Sequence, residues 1–197
     1  QLKKTALTFV REFCHLQREF ANSAQTIHPY IYPLNYGTFL ARTMQTLLKR
    51  GRKTMDYLAW LGGKPVRPDQ KVIIDDLWRH LSNSLHGAVI ELGSLDYNAR
   101  NIVIGCGMPS FIDFSAVGWD WGQRRLVQSL NSLGAHRLGG NFVSLLDREV
   151  VGAYAYQIAE GQQHSNETEI ATQVDCHNLL FYLSIIDRLL RAVAQPN

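Results

Sequence analysis

The stretch Leu95-Asp96-Tyr97-Asn98-Ala99-Arg100-Asn101-Ile102-Val103-Ile104, followed by Phe111-Ile112-Asp113-Phe114, decides how this chain is read. An aspartate is followed five residues later by an asparagine that opens an apolar run, and twelve residues further a second aspartate stands inside another apolar run. Short runs of β-formers on either side of the turn-forming segment Gly105 to Pro109 predict a hairpin. Such a hairpin would bring Asn101 and Asp113 side by side, with Asp96 facing them from the loop before it.

Phosphoryl transfer needs this set of groups. One carboxylate must stand where a substrate hydroxyl can give up its proton, and further oxygen ligands must hold Mg²⁺ against nucleotide phosphates. Asparagine is neutral, so Asn101 can coordinate a metal without adding negative charge. Asp113, between apolar neighbours on an expected buried strand, needs a cation or a metal as partner. Arg100 is an alternative partner for it. Asp96 also fits a plain turn cap, because aspartate and asparagine both favour turns.

The pattern resembles the aminoglycoside phosphotransferase and choline kinase branch of the protein-kinase-like fold. That family carries H-G-D-x-x-x-x-N before an apolar strand, then an apolar I-D-[FW] element. Here the match is Ser94-Leu95-Asp96 through Asn101, then Ile112-Asp113-Phe114. The resemblance implies that Asp96 is the catalytic residue and that Asn101 and Asp113 bind Mg²⁺ and, through it, the ATP cofactor. It implies a fold that is α+β and mostly α: a protein-kinase-like C-terminal lobe with a small β-hairpin catalytic segment between helical blocks. Partners implied are a nucleotide and a small-molecule substrate.

The departures are specific. Ser94 and Leu95 replace the family His-Gly, Ala99-Arg100 stands where Pro-Gly is common, and Ser115 follows Asp113-Phe114 where many kinases have glycine. No G-x-G-x-x-G loop and no Val-Ala-x-Lys strand is present. A nucleotide-binding N-terminal lobe is therefore not recognisable, and a further segment or a separate chain would have to supply it. The absence of an initial methionine and the helical first segment read as a fragment or a processed chain. A non-catalytic, pseudokinase-like scaffold is the alternative function.

Outward from the motif, helical periodicity predicts helices over 4–22, 36–49, 67–85, 121–133, 142–159 and 166–193. Gly51 is expected to cap the second helix, with Lys49-Arg50-Gly51-Arg52-Lys53 meeting its C-terminal dipole. Val72, Ile73, Leu77, Leu81 and Leu85 should form one face of the third. Runs at 88–90, 101–104 and 111–114 are expected strands. Asp120 is expected to serve the start of the next helix, Trp119 and Trp121 to pack, and Asn166-x-x-Glu169 to open the last helix. The result is a single domain over 1–197: a helical block at 1–86, a catalytic loop and metal-ligand hairpin at 87–118, and C-terminal helices at 119–197.

Composition fits that reading. With 197 residues and 46% hydrophobic content the chain can bury one sizeable core, and 19% charge of mixed sign does not mark a disordered chain. A net charge of +3 suits a small anionic ligand but is too slight to point to nucleic acid. Three widely spaced cysteines suit neither a disulfide framework nor a zinc site and fit a reducing compartment, so a cytoplasmic location is expected. No apolar run is long enough for a membrane span. The histidines show no metal-ligand spacing, and no hydrolase elbow is present.

Overall fold

Phe9 and Phe13, four residues apart on one helical face, are both fully buried and set the larger core. The computed structural model describes residues 2–32, 35–63, 66–135, 143–161 and 166–194. The first helix, α1 (Leu2–Ile27), lays these rings against Phe111, Tyr97 and Tyr154, with ring centroids 5.3–6.5 Å apart. Burying each phenyl ring contributes roughly 1.5–3 kcal/mol. Leu126, Leu130, Val150 and Val174 complete this core from the later helices.

Two long helices follow, α2 (Tyr36–Leu61) and α3 (Pro68–His86). Asn35 caps α2, its Oδ1 accepting from the Thr38 amide at 3.4 Å. Gly51 does not end this helix, contrary to the sequence expectation. It lies buried in the helix interior, where a Cβ would meet Trp78 Cη2 at 2.9 Å and Leu180 Cδ2 at 3.1 Å. The glycine serves close packing against α3 and the last helix. Termination comes at Gly62 and Gly63, and Gly63 adopts the left-handed φ of 67°. The basic run 49–53 therefore sits mid-helix, away from the C-terminal dipole, and Arg52 pairs with Asp56 and Asp75 at 3.3 and 2.6 Å.

The expected apolar face of α3 is only half used. Leu81 and Leu85 are buried in a second core with Leu40, Met44, Trp121 and Leu180. Val72, Ile73 and Leu77 are about 60% exposed, because only the second half of α3 reaches this core.

The β part is richer than the sequence suggested. Strands β1 (Ile90–Ser94), β2 (Ile102–Gly105), β3 (Met108–Phe111) and β4 (Val117–Trp121) form two antiparallel ladders. β1 pairs with β4, Gly93 opposite Gly118, and β2 pairs with β3, Ile102 opposite Phe111. The β2–β3 turn is Cys106-Gly107, both with positive φ, which is the two-residue geometry that matches strand twist. Strand β4 was not foreseen; Gly118-Trp119-Asp120-Trp121 reads as a helix approach until its partner β1 is known. The C-terminal block accordingly begins at Gly122 and not at 119.

Helices α4 (Gly122–Ala135), α5 (Arg148–Gly161) and α6 (Glu167–Ala194) close the fold. Helix α5 begins later than the expected 142, because Asp147 Oδ1 takes the amides of Glu149 and Val150 at 3.0 and 2.9 Å; Phe142 lies outside the described residues. Asn166 caps α6 through Thr168 N at 2.9 Å, as expected. Helix α6 packs on α2, α3, α4 and α5 and is the spine of the molecule. The architecture is mostly helical with a small antiparallel β part. Among the described residues no helix is long and apolar enough to cross a membrane, and all three cysteines are free. Burial pushes the Cys14 thiol up to about 12.

Two predictions follow from this packing. Gly51→Val should lower stability by about 1–3 kcal/mol through overpacking, whereas Gly152→Ala, in α5 with no atom near its Cβ position, should raise it by roughly 0.5–1 kcal/mol. Urea denaturation measures both, and an unaffected Gly51→Val protein would contradict the close contact of α2 with α3 and α6. His177 is 3% exposed, and burial, aided by the nearby Arg124 charge, lowers its pKa to about 3. A depressed histidine contributes stability above its unfolded pKa of about 6.5 and loses it as pH falls toward the folded value. Between pH 6.5 and 4 the parent should therefore lose about 1.4 kcal/mol per pH unit relative to His177→Gln. Parallel urea titrations at several pH values would show the two curves converging; a constant gap would contradict a neutral buried imidazole.

Candidate functional site

The loop from Leu95 to Asn101 leaves β1 and returns into β2, and Tyr97 fixes its orientation. Its ring is 4% exposed and packs edge-on against Phe13 and Phe111. With Tyr97 turned inward, its neighbours Asp96 and Asn98 are turned toward the surface; Asp96 is half-buried and Asn98 exposed. The loop is secured at both ends. Leu95 N donates to Ala116 O at 2.7 Å, and Ala99 N donates to Ser132 Oγ of α4 at 2.9 Å.

Asp96 is held by its own turn. Its Oδ1 accepts from the Asn98 amide at 3.4 Å and also from the Asn98 side chain, while Oδ2 faces Arg100 at 3.6 Å. The turn-capping geometry is thus present. Yet the same side chain also lines a cavity of about 340 Å³ walled by the loop, by α4 and by α6. Gln128, Asn131 and Arg188 are its principal polar groups besides Asp96 and Ser132.

Asn101 precedes β2 and is 8% exposed. Its Nδ2 donates to the backbone carbonyl of Asp96 at 3.1 Å, which leaves Oδ1 as the remaining acceptor. Its own carbonyl takes the Ile112 amide at 2.9 Å, so the hairpin ladder continues one step past Ile102 and Phe111. The next residue on that side is Asp113. The register thus sets Asn101 opposite Ile112, with Asp113 one residue beyond, at the open end of the hairpin.

Asp113 differs from the expectation in its surroundings. It is exposed and follows β3, which stops at Phe111, instead of lying on a buried strand. The chain turns here, giving Asp113 a φ of 61°, a left-handed conformation that aspartate tolerates better than most residues. Ser115 N donates to its Oδ1 at 3.1 Å. Hydrogen bonds from Ser115, with the charge of Arg100 adding to them, hold its carboxyl below the usual carboxylate range. Arg100 thus acts on both aspartates.

The donor set suits a hard cation of limited protein ligation. Asn101 Oδ1 and the ionised Asp113 are oxygen donors, one neutral and one anionic, as Mg²⁺ prefers when water and phosphate complete its shell. Among the described residues no cluster of three or more His, Cys, Asp or Glu side chains exists that could cage a metal on its own.

Several contributors were not read from the sequence. Arg125 is fully buried beneath the β1–β4 ladder, its NH2 donating to Glu91 O at 3.0 Å and Gly118 O at 2.7 Å. Burial raises the pKa of neighbouring Glu91, although the Arg125 charge opposes this. Asp120, on β4 at the head of α4, accepts from Trp121 N at 2.9 Å and from Arg124 at 2.5 Å, in keeping with a structural role. Trp119 stacks on Tyr36 at 4.3 Å and Trp121 packs near His177, so both tryptophans are packing residues. Helix periodicity around Arg125 and Arg188 marks charged positions without saying which face meets a strand or a cavity. No family model, no curated protein and no solved structure matches this chain.

Proposed function

We propose that this chain is the catalytic-loop lobe of an ATP- and Mg²⁺-dependent phosphotransferase acting on a small-molecule hydroxyl. The observation that carries the reading is the joint placement of three groups. Asp96 lines a cavity of about 340 Å³, and the adjoining hairpin carries Asn101 and Asp113 at its base. The resemblance to aminoglycoside and choline kinases names the same three residues for these roles.

In this reading the cavity admits the acceptor alcohol with its hydroxyl toward Asp96. The carboxylate orients that hydroxyl and takes its proton as the oxygen bonds to the γ-phosphorus of ATP; the bond from that phosphorus to the bridging oxygen breaks and ADP leaves. Asn98 and Arg100 hold the carboxylate in place. Asn101 and Asp113 would hold Mg²⁺, which supplies charge neutralisation for the phosphates when bound. Asn101 also ties the two halves of the site together, since its amide holds the Asp96 carbonyl. Val103, Ile112 and Phe114 beside the hairpin base are about half exposed, an apolar surface on which a nucleotide lobe, from a further segment or another chain, would close.

One observation favours the scaffold alternative. Arg100 already acts on both Asp96 and Asp113, and a cation built into the loop can replace a metal. Metal binding separates the two readings. Mn²⁺, used as a paramagnetic stand-in for Mg²⁺, should bind in the presence of ATP and weaken at least about tenfold in Asp113→Asn. Asp96→Asn should leave Mn²⁺ binding intact while lowering phosphoryl transfer by roughly 10²–10⁴-fold. With the segment or chain that supplies the nucleotide lobe present, absence of Mn²⁺ binding in the parent would favour the scaffold, and full transfer by Asp96→Asn would remove the proposed base.

A further inference from the structure

The cavity that Asp96 lines does not end at α4. Arg188 of α6 stands in its wall and also lines a second cavity of about 230 Å³ between α2 and α6. Arg50 of α2 and Arg191 of α6 line that second cavity, with Asp187 as its one carboxylate. A small hollow of about 50 Å³ adjoins both, sharing Gln128 and Phe181 with the first and Leu180 and Ser184 with the second. The three hollows lie side by side along α6, with a carboxylate at one end of the series and arginines at the other.

The charge at the arginine end is not balanced from within. Asp187 is engaged by Arg191 at 2.5 Å. Arg50 and Arg188 are exposed and have no ion pair among the described residues, and no carboxylate of that cavity is free to meet them. Two guanidinium groups are thus left in one hollow, with planar donor sets suited to carboxylate or phosphate. At the other end Asp96 has a cation of its own in Arg100. A molecule whose hydroxyl meets Asp96 and whose remainder runs along α6 would present that remainder to Arg188 first.

We infer that the acceptor alcohol carries an anionic group, carboxylate or phosphate, bound by Arg188 with Arg50 behind it. This rests on the phosphotransferase reading for the hydroxyl end, while the anion site stands on the hollow alone. A cationic acceptor would place its positive charge against two unpaired arginines, which like-charge repulsion disfavours.

The test uses four matched probes on the full chain without nucleotide or metal: glycerol, glycerate, glycerol 3-phosphate and 3-aminopropane-1,2-diol. Amide and guanidinium NMR signals of Asn131 and Arg188 report occupancy at constant ionic strength. At least one anionic probe should bind roughly fivefold or more tightly than glycerol, and the amine no more tightly than glycerol. Preference for glycerate or for glycerol 3-phosphate identifies the anion. Arg188→Gln should erase the preference, Arg188→Lys should restore part of it, and Lys71→Gln, on exposed α3, should leave it unchanged. Equal behaviour of all four probes, tightest binding of the amine, or a preference that survives Arg188→Gln would overturn the inference. Since no ATP is present, a failure of phosphoryl transfer leaves this outcome intact, and the reverse also holds.

Discussion

The guanidinium of Arg125 lies in the interior, in contact with two strands at once, and much of the β part is arranged around it. Its NH2 donates to carbonyls of both β1 and β4, so it pins the two strands of the ladder from beneath. The strands must leave room for it: a Cβ at Gly93 would stand 2.4 Å from its NH1. Burial works against the charge, and Asp120 and Glu91 lie close enough to oppose that effect. Burial of such a cation is tolerated only where carbonyls and negative charge surround it. Removing it would take this donor from the carbonyls of Glu91 and Gly118. The ladder it holds delivers the loop that begins at Leu95.

That loop joins two separate ladders. The β1–β4 ladder rests on Arg125 and on the second core through Trp121. The β2–β3 hairpin rests on α1 through Phe9, Phe13 and Phe111. Among the described residues α1 packs on both β1 and β3, and the loop adds Tyr97 in the aromatic cluster, Ser132 holding Ala99, and Asn101 holding the Asp96 carbonyl. The relative position of Asp96 against Asn101 and Asp113 therefore depends on the shared helix α1, aromatic packing and two hydrogen bonds, not on a continuous sheet. Aromatic edge contacts of this kind add about 0.5–1.5 kcal/mol each beyond burial, enough to hold a loop but not to rebuild it.

The local pattern was legible where chemistry is local. The hairpin and the cap at Asn166 follow from spacing and residue type. What escaped was set by distant partners. Gly51 looks like a helix stop until Trp78 and Leu180 are found against it. The first half of α3 has the period of a buried face but meets no core. Strand β4 is invisible without β1, and Asp113 was assigned to a buried strand because its apolar neighbours mimic one. Arg188 and Arg50 are 138 residues apart in sequence and meet only because α2 and α6 pack side by side.

This last pairing explains why a mild net charge can accompany a directed field. A charge of +3 spread over the surface would steer little at physiological ionic strength, where screening acts over about 8 Å. Arg50 and Arg188 are exposed but line the same hollow, so positive charge is concentrated there and not spread over the surface. The series of hollows ends at Asp96, whose own charge is matched by Arg100. A ligand entering it meets attraction for an anion at the α2–α6 end and near-neutrality at the loop. For the acceptor inferred above, orientation would follow from charge before any hydrogen bond forms, and the uncharged end would be left beside Asp96.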